Sequence, residues 1–311
     1  MKAFLITLAA VAVLLATAAP GFWLVKSKKI GEDFMAGFSK VLLYVCQPCL
    51  AVYTFYSATF SVEILRDMGI FLILTVLIHA IMLGASCLIL KKKFKDAAFR
   101  ILTIASSFAN CAFFGIPIIE ALLPEQAPGL IIYTTVYATV MNILGWTAGS
   151  AIIAGDTRYI TPKKVFFNPA MLGVVIALPI FIFSIPLPGD VADMITILAR
   201  MTTPVSMLIM GMRLATASFS SVFLSARTYL AVLAKGFIMP LVGFLLAFFA
   251  PLPTDVKIAF FIICACPSAS IVLNFSELIG AAQKEAAASV LLSTILSIVT
   301  LPVMVLLIPL I

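Results

Sequence analysis

Charge is the scarcest feature of this chain. Lys and Arg number 20 and Asp and Glu 13, 11% of the 311 residues, against roughly 25% in an average soluble domain. With 63% of residues hydrophobic, so few charges cannot cover a water-exposed surface. A soluble globular protein, a disordered chain and a disulfide-stapled secreted domain are excluded. Histidine occurs once, as His79, so no metal site is expected. No phosphate-binding loop motif is present, which argues against ATP drive within the chain. The net charge of +7 does not point to nucleic acid, because the basic residues fall in short runs between apolar stretches. What remains is an all-α polytopic membrane protein, with the lipid bilayer as its solvent.

A span needs roughly 20 apolar residues. Apolar windows between charged or Pro/Gly-rich breaks predict ten, at about 3–25, 34–58, 69–90, 97–123, 128–154, 169–187, 190–217, 229–250, 255–280 and 285–310. The start resembles a secretory leader, with Lys2, an apolar run and Ala16-Thr17-Ala18. The run continues through Phe22-Trp23-Leu24-Val25, however, and so reads as the first span. All six cysteines lie inside apolar stretches. Cys46-Gln47-Pro48-Cys49 has redox spacing but no βαβ context, so it reads as packing. His79 reads as a hydrogen-bonded histidine between helices.

Fourteen of the 20 basic residues follow spans 1, 3, 5, 7 and 9, and three lie on the opposite side. The connection after span 5, for instance, holds Arg158, Lys163 and Lys164. Basic connections stay in the cytoplasm. Both termini are therefore expected outside a plasma (inner) membrane. The remaining three, Lys40, Arg200 and Lys235, fall within spans. Lys40, Lys235 and also Arg213 are expected to snorkel to the interface.

Residues 1–155 and 163–311 read as two copies of one five-helix unit within a single membrane domain. Pro48 in span 2 answers Pro204 in span 7, and Pro117 in span 4 answers Pro267 in span 9. Five is odd, so the second copy must insert upside down. Inverted repeats with interrupted spans at corresponding positions are common in secondary transporters and point to the binding site.

Span 4 carries Asn110-Cys111-Ala112-Phe113-Phe114-Gly115-Ile116-Pro117, and span 9 carries Cys264-Ala265-Cys266-Pro267-Ser268-Ala269-Ser270. Proline removes a backbone donor, and Gly115 loosens the chain beside it. In both spans the proline is expected in the first turn of a restarting half-helix. Two such starts, each with unpaired N–H groups, make an anion cradle without a buried cation. Asn110, Ser106, Ser107, Ser268, Ser270, Gln47, Asn142 and Asn274 are the polar candidates around it. Glu120, Glu277 and Arg200 are candidate coupling groups, Arg200 also being a potential partner of Asp193.

At these residues the chain resembles the auxin efflux carrier family of membrane transport proteins, whose bacterial members include malonate transporters. The resemblance rests on Asn110-x-x-Phe113-x-Gly115-x-Pro117, Asn168-Pro169, Pro204 with Gly211-x-x-Leu214, Pro267, and Leu291-Leu292-Ser293-Thr294-Ile295-Leu296-Ser297 running to Leu301-Pro302. It implies ten helices in two inverted repeats with helices 4 and 9 crossing at their prolines. It also implies elevator-like motion, an organic anion substrate, and Asn110, Pro117 and Pro267 at the crossing. The long cytoplasmic loop of the plant carriers is absent.

The expected function is secondary transport of a small organic anion, a carboxylate, bound at the crossing of spans 4 and 9. No cofactor is expected beyond a coupling ion, H+ or Na+, and a homodimer is the expected assembly. Two alternatives are an anion sensor that moves nothing and a membrane-embedded enzyme. The scattered acids and single histidine argue against the enzyme.

Overall fold

We analysed a computed structural model that describes residues 1–31, 33–160, 166–218, 222–223 and 225–311. Among these residues the chain is helical and forms no strand. That follows from composition: long apolar runs in a medium that cannot pair backbone groups must satisfy their own N–H and C=O groups. The helices are α1 (Lys2–Lys26), α2 (Phe34–Tyr56), α3 (Val62–Lys93), α4 (Ala97–Ala105), α5 (Cys111–Leu122), α6 (Ala127–Ala154), α7 (Pro169–Ile182), α8 (Gly189–Thr216), α9 (Ala226–Phe249), α10 (Thr254–Ala265), α11 (Ile271–Ile279) and α12 (Gln283–Leu310). Seven of these, α1, α2, α3, α6, α8, α9 and α12, are long and apolar enough to cross a membrane.

Polar residues at the boundaries set the starts. Ser61 accepts from the Ile64 N–H at 3.1 Å, Asp96 from Ala98 at 2.9 Å, and Asn168 from Met171 at 3.0 Å. Each satisfies a donor that the first helical turn leaves free. The sixth expected span stops early, at Ile182 rather than 187. Ser184 there takes a φ of +47°, and Pro186 and Pro188 bar the helical conformation just before them. Lys163, Lys164 and the expected start of the second repeat at 163 lie outside the described residues.

Two close backbone approaches hold the periphery. α1 packs along the second half of α8, where a Cβ on Gly21 would strike the Leu208 carbonyl and one on Gly211 would strike Ala18. α7 packs on the second half of α2, where a Cβ on Gly173 would lie 2.7 Å from the Pro48 Cα. Helices in lipid gain contact this way because small residues let backbones meet. Nearer the centre, α4 packs on α12 and α10 on α6.

Between α4 and α5, residues 106–110 leave the helix, as do 266–270 between α10 and α11. The two stretches meet as an antiparallel bridge between Ala109 and Ser268. The Asn110 N–H donates to the Pro267 carbonyl at 2.8 Å, and the Ala269 N–H to Phe108 at 2.9 Å. Ser268 secures both sides: its hydroxyl donates to Ala105 at 2.8 Å, and its N–H to the Ser293 hydroxyl at 3.0 Å. Backbone that leaves the helix here is thus paired with protein, as an apolar surrounding requires.

The prolines fall differently from expectation. Pro117 does lie in the first turn of an α segment, Ile116–Leu122, directly after a π turn over Cys111–Gly115. Pro267 does not. It sits in the extended stretch, four residues before α11 begins, and its carbonyl accepts from Asn110. Proline has no N–H to donate, but its carbonyl can accept, and here it pairs with Asn110.

Candidate functional site

A cavity of about 740 Å³ opens beside the paired stretches. At one end it is lined by Asn110, Cys111, Ala112 and Phe113 at the start of α5 and by Ala269, Ser270, Ile271 and Asn274 around the start of α11. Gln47 of α2, Asn142 and Trp146 of α6, and Ser206 and Met210 of α8 form its walls. It runs on to Lys40, Asn168, Arg213 and Glu277, the last two at helix ends that adjoin the basic connections.

The polar groups at the inner end differ in how far they are committed. The Asn110 side chain is buried, yet its Nδ2 has no hydrogen-bond partner. A buried amide without a partner costs free energy, roughly 1–3 kcal/mol. Asn142 spends its Nδ2 on the Ala138 carbonyl of its own helix, at 2.8 Å. At the opening of α5, the N–H groups of Ala112 and Phe113 bond to no backbone carbonyl among the described residues, as at any helix start. At α11 the cradle is smaller than expected, because the N–H groups of Val272, Leu273 and Asn274 already bond to Ala269 or Ser270.

Five of the nine expected substrate residues meet here: Asn110, Gln47, Asn142, Ser270 and Asn274. The other four, Gly115, Pro117, Pro267 and Ser268, do not line the cavity. Pro267 and Ser268 hold the crossing, and Gly115 packs 3.6 Å from the Cys266 sulfur when given a Cβ. Ser106 and Ser107 donate to the Thr103 carbonyl and also face elsewhere. Of the coupling candidates only Glu277 lines the cavity; Glu120 and Arg200 lie away from it and act on each other electrostatically. Arg200 forms no ion pair with Asp193 among the described residues.

Three basic or histidine side chains depart from expectation. Arg213 pairs with Glu277 at 2.5 Å, its side chain 15% exposed against 47% for the glutamate. It therefore sits at the cavity mouth, held by an ion pair to a residue 64 positions away, which the local sequence does not reveal. Lys235, within the π turn Ala234–Ile238, is fully buried and donates to main-chain carbonyls. His79 is buried, but its Nδ1 bonds to Thr75 of its own helix at 2.7 Å, not across helices. Its ring lies edge-on to Phe108, 5.5 Å away, in the paired stretch.

Tyr44, Trp146, Ser206 and Phe275 also line the cavity; apolar spans offer too many such residues for periodicity to single these out. Among the described residues no group of three or more His, Cys, Asp or Glu is placed to hold a metal ion. The family model described as membrane transport protein matches residues 5–305. No curated protein matches the chain.

Proposed function

The chain belongs to the membrane transport protein family, the family of the auxin efflux carriers, and from that premise we propose that this multi-pass membrane transporter carries a small organic anion, a carboxylate, through the cavity beside Asn110. The observation that carries the reading is the buried, unpartnered Asn110 amide on the wall of a 740 Å³ cavity. A carboxylate oxygen is an acceptor of the right kind, and the opening N–H groups of α5 favour negative charge beside it. Charge agrees: the cavity is lined by Lys40 and Arg213 against the single carboxylate of Glu277.

The proposal takes α4–α5 and α10–α11 as two interrupted spans, numbers 4 and 9 of ten in two inverted repeats. Packing supports this pairing. α1 packs on α8 as α7 packs on α2, and α4 packs on α12 as α10 packs on α6. These contacts exchange when span n of one half is traded for span n of the other. In this reading the cavity opens toward the cytoplasmic side, where Lys40 and Arg213 adjoin the basic connections. Elevator-like movement of the paired stretches then exposes the same groups outward. The setting is a plasma membrane with both termini outside, and exposed apolar side chains such as Val13, Leu88, Ile89 and Phe249 meet lipid. Gln47, Asn142, Ser270 and Asn274 complete the substrate site, with the assembly a homodimer and coupling through H+, Na+ or the membrane potential.

Saturable counterflow of labelled carboxylates in proteoliposomes tests the proposal. Flux that saturates and is competed by unlabelled substrate supports a carrier. Binding without flux supports the sensor, and a covalently changed product supports an enzyme.

A further inference from the structure

α10 ends at Ala265. The last carbonyls of a helix have no helical donor and carry its negative pole. Two carbonyls at this end converge on one ammonium: Lys235 Nζ donates to Cys264 at 2.9 Å and to Cys266 at 2.5 Å. Lys235 is fully buried, and none of the salt bridges among the described residues includes it. Its helix is fixed close behind, for a Cβ on the neighbouring Gly236 would lie 3.1 Å from Thr300 of α12. A buried ammonium without a carboxylate is costly, and carbonyl oxygens at a negative helix end are what offset it here. Carbonyls at the ends of interrupted helices are also the groups with which many transporters hold a free Na+ or H+.

We propose that Lys235 is a tethered cation occupying a carbonyl site of the sodium-binding kind at the end of α10, so that the protein binds no free sodium there. The ammonium supplies the positive charge that a mobile ion brings elsewhere, directly behind the stretch that positions Asn110. The site itself stands on the hydrogen bonds of Lys235; only its consequence, flux that does not need a sodium gradient at this site, rests on the transporter reading.

The test reads binding and unfolding rather than flux, so its failure and a failure of the transport reading are distinguishable. Purified protein is melted in sodium, methylammonium or choline chloride at equal ionic strength. The unsubstituted protein is expected to melt at one temperature in all three. Lys235→Ala removes the ammonium and leaves room between the carbonyls. Its Tm is expected to fall and to be raised again, saturably, by sodium or methylammonium but not by choline. Lys235→Met fills the stem with no charge, and no cation is expected to restore its Tm. A saturable, sodium-specific rise in the unsubstituted protein that Lys235→Met abolishes overturns the proposal, as does an Ala variant that answers the three salts as the Met variant does. Should neither variant extract as folded protein, retention of radiolabelled sodium by the unsubstituted protein and by Lys235→Arg decides. Equal retention in the two is expected, and stoichiometric, competable retention that Lys235→Arg abolishes overturns.

Discussion

The main-chain N–H of Asn110 donates to the main-chain carbonyl of Pro267, 157 positions along the chain, at 2.8 Å. This bond has two consequences. It ties two extended stretches together, and it engages only the main chain of Asn110, whose side-chain Nδ2 has no hydrogen-bond partner. The amide Nδ2 is buried, and in the proposed reading it donates to the substrate carboxylate.

Asn110→Ala should therefore separate binding from stability. The variant loses no hydrogen bond from Nδ2 within the protein, and its Tm should stay close to that of the unsubstituted chain. Loss of a hydrogen bond to a charged ligand, about 1.5–3 kcal/mol, should weaken apparent affinity roughly 10- to 100-fold. Uptake kinetics beside a thermal melt measure both. Unchanged KM would remove Asn110 from the site.

Arg213 and Glu277 should respond in opposite directions. They pair at 2.5 Å on the cavity wall, so in the proposed reading the carboxylate competes with the anionic substrate for the guanidinium. Arg213→Gln should raise KM, again by roughly 10-fold or more if it meets the substrate charge. Glu277→Gln should lower KM by releasing the arginine. A glutamate that instead carries a coupling proton gives another pattern: Glu277→Gln then abolishes gradient-driven uptake and spares counterflow.

The membrane character and the all-helical fold were legible because lipid allows few structures and apolar runs report them directly. Asn110, Gln47, Ser270 and Asn274 were legible as polar residues on spans that contain a proline, and Asn142 as a polar residue of the fifth span; the structure places all five on one cavity. Burial and pairing of charged groups were not. Lys235 and Lys40 look alike in sequence, each a lysine within an apolar span, yet one is sealed against α10 and the other lines the cavity. The difference arises from the approach of the α10 end, 29 to 31 positions further along the chain, which has no local signature. Pro267 was misplaced by four residues for a related reason: proline ends a helix, but where the next begins depends on the pairing with 108–110.

Gly211 should be intolerant of even one methyl. Its Cβ would collide with the Ala18 carbonyl and lie 2.9 Å from the Phe22 nitrogen, both rigid backbone of α1. Gly211→Ala must push α1 and α8 apart and should cost about 1–3 kcal/mol. Gly129→Ala is the control, since nothing lies within 4 Å of its Cβ, and helical alanine is preferred over glycine by roughly 0.5–1 kcal/mol. Melting temperatures in one detergent should drop for the first and hold or rise for the second. Equal behaviour of the two would mean that α1 and α8 do not touch there.

Ser268 and Ser293 should be energetically coupled. The Ser293 hydroxyl accepts the Ser268 N–H and donates to Val290, while the Ser268 hydroxyl donates to Ala105. Ser293→Ala orphans a buried N–H at the crossing, a loss of about 1–3 kcal/mol. Ser268→Ala orphans the Ala105 carbonyl, which retains a second lone pair and lies at the end of α4, so the loss should be nearer 1 kcal/mol. Both changes loosen the same residue from opposite sides. Once one anchor is gone the stretch can shift, and the second loss should then cost less than it does alone. A double-mutant cycle on Tm should show coupling of at least roughly 0.5 kcal/mol, as groups in one network do. Strict additivity would mean that the two hydroxyls hold separate pieces of chain, and the crossing would lose its claim to act as one unit.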